Sequence, residues 1–65
     1  MREVTVFRFE VWDPEKRQTV VAPRMATPAA IRRVKGMADL ESALVVDETA
    51  LDENGFYRGK PPQTY

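Results

Sequence analysis

Cysteine and histidine are both absent from this 65-residue chain, and each absence removes a class of chemistry. Without cysteine there is no disulfide framework, no thiolate nucleophile and no zinc site of the cysteine type. Without histidine the commonest general base is missing. An enzyme would have to use carboxylates, lysine or tyrosine. The carboxylates gather between Asp39 and Glu53, but without the spaced base and nucleophile of a hydrolytic site, and charge runs of this kind are generally solvated faces. No catalytic residue and no enzymatic activity are expected.

Glycine is scarce too, and the three that occur are scattered and build no phosphate-cradling loop. Residues 47–55 superficially resemble a calcium loop, but Ala50 and the Lys60-Pro61 pair stand where that loop needs oxygen ligands. No metal and no cofactor are expected. Long apolar runs are missing as well: none approaches the ~18 residues that span a bilayer. Met1-Arg2-Glu3 leads into an alternating segment rather than the apolar stretch of a signal peptide. A cytoplasmic protein without a membrane partner is the expectation.

What is present reads as a folded chain. Apolar residues make up 43% and charged residues 31%, a globular composition rather than that of a disordered segment. A chain this short buries only about 60% of its unfolded surface, so one domain is expected, over residues 1–58, with 59–65 as a flexible tail. Its stability must come from packing alone or from a partner. The net charge is zero, yet the charges are segregated. Between residues 16 and 38 every charge is basic, from Lys16 and Arg17 through Arg24, Arg32, Arg33 and Lys35. From 37 to 57 every charge is acidic.

Residues 4–12, rich in β-branched and aromatic side chains and closed by Asp13-Pro14, predict a first strand. After a polar loop, residues 18–22 predict a second, completing a β-hairpin. Alternation puts Phe7, Phe9 and Val11 on one face and Val4, Val6 and Trp12 on the other. The phenylalanine face is the candidate core, and the apolar remainder led by Trp12 calls for a cover, either a partner or the C-terminal segment. Thr27-Pro28 and Gly36 bracket a short helix, with a hydroxyl N-cap, proline at the first position and glycine past the last turn. Ile31 and Val34, with Ala30 or Met37, would form its buried stripe. Residues 41–47 predict a third strand, 47–52 one tight helical turn, and 53–55 a turn that folds Phe56 and Tyr57 back as an apolar clamp.

Two surfaces carry candidate binding residues. Arg24, Arg32, Arg33 and Lys35, with Lys16 and Arg17, would make a phosphate-binding patch if hairpin loop and helix end lie together. Against this, basic residues suit a helix C-terminus anyway, and no aromatics are interleaved with them as a single-strand stacking platform requires. Trp12, Phe56 and Tyr57 are either partner anchors or the largest pieces of a small core.

With Pro23 to Thr27, Ala30-Ile31, Val46-Asp47, Leu51-Asp52 and Gly55 to Tyr57 read together, the chain resembles small uncharacterised bacterial single-domain proteins. In these a β-hairpin leads into a short threonine-capped helix and then an acidic Leu-Asp and Gly-aromatic ending. The resemblance implies a bacterial origin and transfers no activity and no site residue. The expected fold is α+β, a small ββαβ unit: an antiparallel hairpin, one short helix packed on the Phe7, Phe9 and Val11 face of the sheet, and a third short strand. The expected role is a non-enzymatic protein-interaction module, self-associating through a homo-oligomer or binding a protein partner. The alternative is a regulatory nucleic-acid-binding protein that uses the basic helix end.

Overall fold

The computed structural model describes residues 2–59, and within them the expected first strand is two strands. β1 (Glu3–Val6) and β2 (Phe9–Asp13) belong to different sheets. The break at Phe7 and Arg8 follows from where their backbone groups find partners, since each amide and carbonyl in a folded chain needs one. Phe7 exchanges two hydrogen bonds with Ala26, of 2.9 and 3.0 Å. The Arg8 amide donates to the Ser42 hydroxyl at 2.8 Å. Both partners are remote in sequence, so the corner corrects the single run expected over residues 4–12.

β2 is the centre of a three-stranded antiparallel sheet, with β3 (Gln18–Val21) on one side and β4 (Met37–Ala38) on the other. The β2–β3 hairpin closes as expected. Asp13 Oδ1 accepts from the Glu15 amide at 2.9 Å, and Arg17 takes the left-handed conformation, with φ of 54°, that brings the chain back into β3. The other sheet pairs β1 with β5 (Leu44–Asp47), Val4 opposite Val46 and Val6 opposite Leu44, so these four apolar side chains share one face. The third strand is thus shorter than residues 41–47; a 3₁₀ turn, Leu40–Ser42, precedes it. Val6 is wholly buried, which corrects its assignment to an outer face with Trp12: the corner puts the two residues in separate sheets.

The helix α1 (Pro28–Arg33) begins as its punctuation predicts, with Thr27 Oγ1 accepting from the Ala30 amide at 3.2 Å and Pro28 at the first turn. It packs on the face of β2 that carries Phe9 and Val11. Phe9, Ala26, Ala30 and Ile31 form the buried cluster, with Phe7, Val11, Ala22, Ala38 and Phe56 packed around it. The stripe ends at Ile31, one turn earlier than expected. Val34 is the C-cap and 42% exposed, and Met37 has left the helix for β4. Lys35, with φ of 58°, takes the left-handed position, and the Gly36 amide then closes the end on the Ile31 carbonyl at 2.9 Å.

Gly36 therefore serves close approach rather than a left-handed turn. A Cβ on it would lie 2.8 Å from Phe9 Cδ2 and 3.1 Å from the Glu10 carbonyl oxygen. Gly36→Ala is expected to destabilise the fold by about 1–3 kcal/mol, read from the midpoint of urea unfolding followed by circular dichroism. An unchanged midpoint would mean that the helix end can shift away from β2.

Candidate interaction surface

The register of the three-stranded sheet determines what its outer face presents. Glu10 lies between Val21 of β3 and Met37 of β4, and Trp12 lies opposite Thr19. Directly paired residues project to the same side, so Trp12, Val21 and Met37 share the face turned away from α1. They are 60%, 66% and 61% exposed, respectively. Glu10, in their midst, accepts a hydrogen bond from the Thr19 hydroxyl at 2.8 Å. An open groove of about 330 Å³, lined by Val21, Glu10 and Met37 with Arg8, Phe9, Ala38 and Asp39, lies at the end of this face away from Trp12. Three large apolar side chains with a charged rim thus lie exposed together on one face of the described surface. Of these three, the alternation in β2 pointed to Trp12 alone. Val21 and Met37 were overlooked, although Gly36 ends the helix and so frees Met37 from its stripe.

The other expected contact residues are dispersed. Phe56 packs on the core, its ring 6.1 Å from that of Phe9 and tilted by 60°. It acts as a piece of the core rather than as an exposed anchor. Tyr57 is half-buried, its amide bonded to the Met25 carbonyl at 2.8 Å and its backbone bridged to Leu51. Phe56 and Tyr57 thus fold back as the expected clamp. Arg32, Arg33 and Lys35 are exposed at the C-terminal end of α1. Arg24 is drawn elsewhere: its guanidinium lies 3.7 Å from the Asp52 carboxylate. The segment carrying Asp52 is bonded to the start of the helix, through the Gly55 carbonyl and the Thr27 amide. The basic residues are accordingly shared between the two ends of α1 and the hairpin loop. Residues 60–65, the expected tail apart from Gly59 and one of the expected covers for Trp12, lie outside the described residues.

Asp52 organises the loop that those bonds hold. Its Oδ1 accepts from the amides of Asn54 at 2.8 Å and Phe56 at 3.0 Å. Gly55, with φ of 87°, fits against the helix start, where a Cβ would come within 2.9 Å of Thr27 Oγ1. Asp52 Oδ1 is engaged in capping these backbone amides, which gives the acidic residue a structural role. The Phe56 amide is the main reason the carboxyl is held below the usual range; desolvation opposes it, and the Asn54 amide and the charges of Arg24 and Arg58 add to the lowering.

No family model, curated protein or solved structure matches this chain. Among the described residues no helix is long and apolar enough to cross a membrane. The geometry therefore describes a small α+β domain whose most distinctive surface is one apolar sheet face.

A carboxyl whose folded pKa lies below its unfolded value contributes stability that is present above the unfolded pKa and lost as the pH falls through the folded one. Between about pH 5 and about pH 2, the melting temperature of Asp52→Asn is expected to fall less steeply than that of the native chain. Parallel curves would show that the loop does not depend on the charged form.

Proposed function

We propose that this protein is a non-enzymatic protein-interaction module that associates with itself through its three-stranded sheet. The observation that carries this reading is the exposure of Trp12, Val21 and Met37 together on one face. Fully burying one such side chain is worth roughly 1.5–3 kcal/mol, whereas association costs about 4–15 kcal/mol in lost freedom. A contact of this face with the same face of a second copy would bury up to six such side chains, about 9–18 kcal/mol before any cost is counted, which is comparable with the cost of association, so the face supports a contact of modest strength.

The composition adds support. A chain lacking histidine and cysteine has few routes to catalysis, and a small core gains from burying further apolar surface against a second chain.

The average molar mass measured by light scattering is expected to rise above the monomer value of 7.4 kDa as the concentration enters the high micromolar range. Val21→Asp, which puts a charge where the face meets the outer edge of the sheet, is expected to hold the chain at the monomer mass with its circular dichroism unchanged. A native chain that stays at the monomer mass throughout overturns the reading.

A further inference from the structure

Among the described residues β3 is an outer strand of its sheet, and its own sequence carries none of the usual protection of a strand edge. Natural edges are blunted by charged side chains, proline, bulges or shortness, because an open row of backbone groups invites another strand. β1 carries Glu3, β5 carries Asp47, and β4 is two residues long. β3, Gln-Thr-Val-Val, is four residues long with no charge and no proline.

The hydrogen-bond parity fixes which backbone groups of β3 face outward. The Ala22 amide donates to the Phe9 carbonyl at 2.9 Å, so Ala22 and Phe9 are a bonded pair in the β2–β3 register. Bonded and non-bonded pairs alternate along an antiparallel ladder. Val20 with Val11 and Gln18 with Asp13 are then bonded, whereas Thr19 and Val21 turn their N–H and C=O away from β2, to the free edge.

We infer that this edge pairs with the same edge of a second copy, antiparallel, with Val20 opposite the partner's Val20 on the two-fold axis. The inference rests on the self-association proposed above but places the contact at the edge of the apolar face, so that the two faces are extended side by side rather than buried against each other. In this register Thr19 bonds the partner's Val21 and Val21 bonds the partner's Thr19, four backbone hydrogen bonds in all, counted from the alternation rule as about two per bonded pair. The neighbouring registers are poorer. Placing Val21 opposite the partner's Val21 requires an N–H from Pro23, which has none. Placing Thr19 opposite the partner's Thr19 requires Arg17, whose φ of 54° takes it out of the strand. The contact is isologous and closes after two copies.

The side chains agree with the same register. Val20 is half-buried on the core side of the edge, and a non-bonded pair brings its Cα to about 4.5 Å from that of the opposite residue, so each Val20 covers the other. Antiparallel pairing sets the hairpin loop of one copy, with Lys16 and Arg17, beside the far end of the partner's β3. There Arg24 is offset by Asp52 at 3.7 Å, and the exposed Glu53 is balanced by Arg58, whose charge also acts on Asp52, so that end is close to neutral and charge does not select the register. Four residues from each copy fall short of the ~1,200 Å² at which interfaces of standard size begin, so a weak, high-micromolar dimer is expected. The product is a six-stranded sheet in which the two apolar faces join as one strip.

Single-cysteine variants test the register, since the native chain has no cysteine of its own. Under mild oxidation at high micromolar concentration, Val20→Cys is expected to form a disulfide-linked dimer several-fold faster than Thr19→Cys, although position 19 is the more exposed. In the proposed register the paired Cα atoms at position 20 fall within the ~4.4–6.8 Å a disulfide needs, and those at position 19 do not. Val21→Pro, which removes an outward N–H but no bond to β2, is expected to keep the native circular dichroism and lose the mass increase. Trp12, the sole tryptophan, is expected to keep the emission of an exposed indole in the edge-paired dimer. If the mass rises but position 19 links at least as fast as position 20, or Trp12 emission shifts strongly to the blue, the copies meet face to face; self-association then stands and the edge register falls. If the mass does not rise, both fall.

Discussion

Ala26 holds this fold together through its backbone. It is fully buried, bridged on one side to Phe7 and on the other to Phe56. Its neighbours extend the same seam, Met25 accepting from the Tyr57 amide at 2.8 Å and the Thr27 amide donating to Gly55 at 3.1 Å. Three residues therefore tie together the corner between the sheets, the start of the helix and the C-terminal loop. In a chain without disulfides, such a junction does the work that a covalent staple does in other mini-proteins, because each buried backbone group left unpaired would be costly. The apolar cluster of Phe9, Ala30 and Ile31 assembles around it.

The functional surface follows from that arrangement. The helix and the Phe56 loop cover one face of β2 and leave the other to solvent, and no described element crosses back over Trp12. Anchoring Arg24 to Asp52 also separates it from the basic residues at the helix end. The surface that remains distinctive is thus apolar and centred on a sheet rather than basic and centred on a helix.

What the sequence made legible was local. The Thr27 cap, Pro28, the Asp13 turn and the alternation of Phe9, Val11 and Trp12 depend on neighbours within a few residues, and the α+β class follows from them. The corner at Phe7 and Arg8 was not legible, because its cause, Ser42 and Ala26, lies 34 and 19 positions away in the chain. The role of Gly36 was misread for a related reason: the constraint is the ring of Phe9, not the helix end itself. The candidate face was half visible. Trp12 stood out as an aromatic on a mixed strand face, whereas Met37 joined it only through pairing of β4 with β2.

The corner between β1 and β2 has a consequence for how the molecule opens. Among the described residues β1 and β5 pair only with each other, and a two-stranded ribbon is marginal on its own. The three-stranded sheet, the helix and the Ala26 junction share none of its ladder bonds. Separating the ribbon breaks none of their bonds, though it uncovers the buried Val6, and a partial opening of this kind gives one molecule several tiers of amide protection. Amides of β5 would exchange with solvent ahead of those at Ala26 and Ile31, so that a protein of this size would have two cooperative units instead of one.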